Sequence, residues 1–224
     1  MKASSAIVTS FLMLSISLPV CGGQMSQQGK DDHQGHEMHR KMAESASPDD
    51  SMNVKIHLRD LELLTADGER VRFKSDVIGD KIVAITFIYT TCTTICPIFN
   101  ALFSQAQNLL GDRLGEGISL ISMSLDPARD VPLRMKKEAR KFKAKPGWIF
   151  LTGEKENLDQ VLRGLDAYFA DFTLHPPMVI IGDGKTGQWK RINGFPEPKR
   201  IVALIDEFKA ARDGISRKAA KPAK

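Results

Sequence analysis

Short apolar runs recur along this chain, the first three followed by longer stretches of helical period and the last by a hairpin. Residues 81–89, KIVAITFIY, are almost continuously apolar and β-branched, the mark of a strand buried on both faces. Residues 118–125, ISLISMSL, share that character, and the shorter runs WIFL and MVII extend the series. Ile98, Leu102, Phe103, Ala106, Leu109 and Leu110 fall at helical spacing, with Gly111 as the stop. Asp130 and Pro132 predict an N-cap and a first turn for a helix reaching Phe142. Further helices are predicted over residues 157–168 and 198–211. VKIHLRDLELL and RVRF flank Asp67-Gly68 as a hairpin, and Asp183-Gly184 is a turn leading into the strand QWKRIN. Strands that alternate with helices and finish in a hairpin predict an α/β domain over residues 54–211, with a central mixed sheet flanked by helices.

The ends follow neither period. Lys2 precedes an uncharged, mostly apolar stretch from Ala6 to Val20. At about 1.5 Å per helical residue it spans roughly 22 Å, short of a bilayer core of about 30 Å. A cleaved export signal over residues 1–21 is the expectation. Leu18-Pro19-Val20-Cys21 resembles a bacterial lipoprotein box, which makes Cys21 the expected lipidation site and puts the chain at the extracytoplasmic face of a membrane. That periplasm-like compartment permits disulfides. Residues 22–53 are polar and without period, as expected of a flexible tether. Within it HQGHEMHRKM sets His33, His36 and His39 at regular intervals beside Met38 and Met42, a secondary metal-binding candidate of copper-compatible donors.

Composition adds two constraints. A hydrophobic content of 42% is enough for an ordinary core. The net charge of +5 owes much to residues 212–224, where five Lys/Arg face one Asp, a basic tail expected to be flexible. No basic stripe with interleaved aromatics appears, so nucleic acid is not an expected partner.

The candidate chemistry lies in TTCTTICP, residues 90–97, directly after the first buried strand. In open α/β sheets reactive groups gather beyond the C-terminal ends of central strands. Cys96 falls at the start of the predicted helix, Pro97 suits its first turn, and Cys92 lies one turn earlier. A helix N-terminus favours thiolate over thiol, so both sulfurs are expected to ionise readily. Two cysteines are too few for a closed zinc or cluster site, whereas Cu(I) accepts two or three soft ligands. His175, the one histidine after His57, precedes PPMVII and reaches the thiols if that strand neighbours the cysteine strand.

These segments carry a resemblance. DLELLTADGERVRF, ITFIYTTCTTICP, LISMSLDPARDVP, FKAKPGWIFLTG and MVIIGDGKTGQWKRING resemble, in order and spacing, the thioredoxin-fold SCO/SenC proteins. The resemblance implies a thioredoxin-like fold and a copper chaperone for the CuA centre of cytochrome c oxidase, on its subunit II. It also implies Cys92, Cys96 and His175 as ligands for Cu(I) or Cu(II). Here Leu174 precedes the histidine where the family commonly has Asp, which removes an acceptor for the imidazole N–H. Pro176-Pro177 follow it, resembling the cis-Pro set against the active site of redox thioredoxins. Asp126 and Asp130 of SLDPARD match a family loop near the site.

Other readings stay open. Cys92 and Cys96 could act catalytically as a thiol:disulfide oxidoreductase pair on acceptor cysteines, recycled by a thioredoxin-like reductant. Thr93-Thr94-Ile95-Cys96-Pro97 matches the TxxCP of peroxiredoxins, although Tyr89 stands where that family has Pro. A structural Cys92–Cys96 disulfide would close so short a loop that it constrains little.

Overall fold

The structure, a computed structural model, describes residues 51–219. The expected signal segment, the lipidation site Cys21, and the tether residues His33, His36 and His39 lie outside the described residues. Among the described residues eight strands form one sheet: β1 (Ser51–Asn53), β2 (Glu62–Thr65), β3 (Arg70–Arg72), β4 (Ile82–Ile88), β5 (Ile118–Ser124), β6 (Trp148–Thr152), β7 (Met178–Asp183) and β8 (Gln188–Asn193). Their spatial order is β1-β8-β7-β4-β5-β6-β2-β3. The centre, β4-β5-β6, is parallel, and every other pairing is antiparallel. The helices are α1 (Ile95–Leu110), α2 (Pro132–Lys141), α3 (Lys155–Gly164) and α4 (Pro198–Ala219). This is the mixed sheet flanked by helices that the pattern predicts.

Every residue of β4 and of β5 is buried, because both faces of the sheet are covered. Strand alternation splits the core. Ile82, Ala84 and Ile88 face α1, α2 and α4, packing with Phe99, Phe103, Met135, Leu204 and Phe208. Val83, Ile85 and Phe87 face the other way, toward α3 and the π-helical turn Phe73–Ile78, with Leu158, Val161 and Phe73. At about 25 cal/mol per Å² of apolar surface removed from water, such two-sided burial is what holds the central strands in register.

Four local expectations shift. Val54–Leu61 alternates as a strand should, yet it runs across the α3 face instead of joining the sheet. Val54, Ile56 and Leu58 pack inward, and His57 N–H donates to Gly164 O at 2.9 Å. That crossing needs a glycine, since a Cβ at Gly164 would sit 2.2 Å from His57 O. Helix α3 accordingly stops at Gly164, and the apolar residues Leu165 and Ala167 are buried from outside any helix. Asp130 does not cap α2. Val131 is the N-cap residue, and the Asp130 carboxylate is drawn away to Thr90 and Ser124. Helix α4 continues past Ala211 to Ala219, and Arg212 forms an ion pair with the fully buried Asp183.

Candidate metal centre

The cysteine corner is built by the end of β4 and the start of α1. After Ile88 the chain leaves the sheet, and Cys92 N–H donates back to Tyr89 O at 3.1 Å, closing a turn. Asp130 fastens this turn from below. Its buried carboxylate accepts from Thr90 N–H at 3.0 Å, from the Thr90 hydroxyl at 2.6 Å and from the Ser124 hydroxyl at 2.8 Å. Burial raises the Asp130 pKa, and the Thr90 and Ser124 bonds oppose that rise. Helix α1 then begins at Ile95, so Cys96 and Pro97 both lie in its first turn.

The two sulfurs sit in unlike surroundings. Cys92 is half-buried, and Cys96 N–H, a donor of the helix's first turn, points at its sulfur from 3.4 Å. Burial works against ionising Cys92, but the N–H groups of Cys96 and Thr94 and the Tyr89 hydroxyl outweigh it and bring the thiol down to about 7. Cys96 is 2% exposed, and burial, with the adjacent Cys92 and Asp130, pushes its pKa well above the ordinary thiol range. The expectation that both thiols ionise readily therefore holds for Cys92 and fails for Cys96. A local helix-end effect is outweighed by desolvation and by the charge of the neighbouring sulfur. Both cysteines are free thiols.

His175 follows a 3₁₀ turn, Phe172–Leu174, at the entry to β7. β7 pairs with β4, so the loop that carries the histidine does arrive at the cysteine end of the sheet. The ring is buried, with Nδ1 3.0 Å from Phe172 O. Desolvation lowers its pKa, opposed by the carbonyls of Phe172 and Phe87. A backbone carbonyl thus takes the imidazole N–H where the sequence lacks an Asp, while the nearby Asp171 is occupied with Thr173. The Pro176 and Pro177 peptides are trans, because no peptide among the described residues is cis.

Tyr89 touches residues of both halves. Its ring lies edge-on to Phe172, with centroids 5.1 Å apart, and 6.3 Å from the His175 ring. Burial and the hydrogen bond with the Cys92 sulfur push its hydroxyl up to about 12, so it stays protonated. Among the described residues no three His, Cys, Asp or Glu side chains are grouped closely enough to hold a metal. Cys92 and Cys96 share one turn, and Tyr89 touches both Cys92, through its hydroxyl, and the His175 ring. The roles of Tyr89 and of the Phe172 carbonyl were not foreseen. An aromatic residue with a polar tip directly after a buried strand was the available signal for Tyr89.

The chain matches the SCO1/SenC family over residues 50–181. The SCO2-like protein of Rickettsia conorii is 30% identical over 118 residues, covering 53% of this chain and 55% of that protein. The chain thus spans about half the length of the curated relatives it matches. The solved structure of a SCO1/SenC family lipoprotein from Bacillus anthracis superposes with a TM-score of 0.60 at 19% identity, over 70% of this chain and 97% of that one. Yeast Sco1 with copper bound superposes with a TM-score of 0.56 at 21% identity, over 70% of this chain and 95% of that one. The Sco family is one of cytochrome c oxidase assembly proteins.

Proposed function

Since this chain belongs to the SCO1/SenC family, we propose that it is an extracytoplasmic copper carrier that holds one copper ion with Cys92, Cys96 and His175. It surrenders the ion to an acceptor during assembly of a CuA-type cytochrome c oxidase. Copper is its cargo, taken up and passed on by ligand exchange, and catalysis is not required. The observation that carries this reading is the pair of free thiols on one helix turn, with Cys96 N–H aimed at the Cys92 sulfur. The donor set fits the ion. Two soft sulfurs suit Cu(I), and an imidazole held neutral by burial adds the nitrogen that Cu(II) favours. Metal charge beside Cys96 stabilises its thiolate and offsets the burial that otherwise keeps it protonated. With Nδ1–H donating to the Phe172 carbonyl, Nε2 of the neutral ring is the nitrogen that would bind copper. The lipoprotein-like Cys21 supports attachment to a membrane surface, in line with the Bacillus anthracis relative described as a lipoprotein.

Anaerobic titration with Cu(I) tests this. The full chain is expected to bind one tight copper at this corner, and Cys92→Ser and Cys96→Ser are each expected to lose it. Tight stoichiometric binding by a Cys96→Ser chain that also lacks His33, His36 and His39 would contradict the reading.

The unlike sulfurs support a second activity at the same corner, reduction of an acceptor's disulfide. The Cys92 thiolate attacks one acceptor sulfur, forming a mixed disulfide and releasing the other as a thiolate. Cys96, on giving up its proton, displaces the remaining acceptor sulfur. The acceptor is then reduced by two electrons and Cys92–Cys96 is oxidised, to be restored by a thioredoxin-like reductant. Trapping of a mixed disulfide through Cys92 in a Cys96→Ser chain is the expected result, and its absence with every oxidised acceptor segment tried would remove this activity.

A further inference from the structure

At the end of the sheet opposite the cysteines, four basic side chains converge on one cleft. Ile82 pairs with Asp183 and Thr86 with Val179, so the β7–β8 turn lies beside the start of β4, whereas the cysteines follow its end. The inward packing of Val54, Ile56 and Leu58 turns His57 and Arg59 outward. Lys74 comes from the π-helical turn and Lys185 from the β7–β8 turn. With Thr186 and Trp189 these residues line a cleft of about 580 Å³. Among the described residues no carboxylate lines it.

The acids nearest in the chain are already engaged. Asp60 accepts from Arg72 Nε at 3.2 Å, from Lys74 N–H at 3.1 Å and from Ser75 N–H at 2.9 Å. Asp183 is fully buried and paired with Arg212. Elsewhere on the domain Arg72, Arg113, Lys190 and Arg191 each meet a carboxylate. The side chains of Arg59, Lys74 and Lys185 have no such partner among the described residues. Thr186 Oγ1 is buried without a hydrogen-bond partner, a state that folding tolerates poorly when nothing compensates for it.

We propose that this cleft is a binding site for a phosphate-bearing anion. Three permanent cations with no acid among them build a positive field that an anion relieves. The guanidinium of Arg59 offers a planar fork of donors, the two ammonium groups supply point charges, and the Thr186 hydroxyl and the His57 ring add further donors. A tetrahedral phosphate has enough acceptor oxygens to serve several of these at once, whereas a carboxylate has two. The site is separate from the cysteine corner, so occupancy does not compete with copper for ligands.

The test uses the full chain in buffer of fixed ionic strength, following the amide resonances of Gly184, Lys185, Thr186 and Gly187. Inorganic phosphate and glycerol phosphate are titrated as soluble probes, and phosphatidylglycerol vesicles against phosphatidylcholine vesicles as the lipid arm. Saturable shifts confined to this turn are expected. Arg59→Gln and Lys185→Gln are each expected to weaken the site about tenfold, the loss of one charge-assisted contact, with copper stoichiometry unchanged. Saturation by the soluble probes alone assigns the site to a soluble phosphate ester, and a response to phosphatidylglycerol only assigns it to a lipid headgroup. Shifts that never saturate, or that the double variant Arg59→Gln/Lys185→Gln leaves intact, overturn the proposal. Failure of copper binding would leave this result standing, because none of these residues belongs to the cysteine corner.

Discussion

The two halves of the candidate copper site are held by different means. Cys92 and Cys96 lie on one continuous turn, braced by the Asp130 carboxylate through Thr90 and by the backbone of α1. His175 follows a 3₁₀ turn on a separate loop, its ring held by the Phe172 carbonyl and lying beside Tyr89. The two cysteines are brought together by one local turn, whereas the histidine reaches the same end of the sheet on a separate strand. On the proposed reading, a dithiol pre-set on one turn, with a third ligand brought from a separate loop, suits a carrier that must both keep and give up its ion.

The sharpest break in this contrast is loss of a sulfur. Cys92→Ser or Cys96→Ser is expected to abolish tight Cu(I) binding, an effect larger than the roughly 10–100-fold typical of residues that only support a ligand. Competition with a Cu(I) chelator measures it. His175→Ala should come next, weakening Cu(II) far more than Cu(I) because the two sulfurs alone satisfy the softer ion. A Cu(I) loss as large as the Cu(II) loss would mean that the histidine half is no less pre-set than the thiols.

Asp130→Ala removes the brace and leaves Thr90 N–H and its hydroxyl without their acceptor. Denaturant unfolding is expected to show about 1–3 kcal/mol of destabilisation, and copper affinity should fall with it. Asp130→Asn keeps an acceptor for Thr90 and should recover most of both. Equal damage from the two variants would show that charge matters here more than the bracing contact.

The mildest test is chemical. Thiolate forms as pH rises through the thiol pKa, so alkylation of Cys92 should climb through about pH 7 and level off above it. Cys96, buried and shifted the other way, should stay unmodified over that range. Alkylation of both at similar rates would erase the distinction between the sulfurs.

Much of this arrangement was legible in the sequence, and the exceptions share a cause. The β4 run, the helical spacing up to Gly111 and the cysteines at the strand-to-helix corner are local patterns, and they correspond to β4 and α1 as found. Asp130 looked like a helix cap because its chain neighbours suit one, but its partner Thr90 lies forty residues away in sequence. Cys96 looked acidic because it opens a helix, but its burial comes from core packing that no local pattern encodes. Val54–Leu61 alternates as a strand does because it is packed on one side, against the α3 face instead of within the sheet. In each case the local signal was real and a distant contact decided its use.

The most direct test of the three-ligand claim is pulsed electron paramagnetic resonance of the Cu(II)-loaded full chain in which His33, His36 and His39 are alanine. One imidazole nitrogen coupled to copper, lost in the added His175→Ala variant, is the result predicted. A spectrum unchanged by His175→Ala would contradict the account and remove His175 from the ligand set.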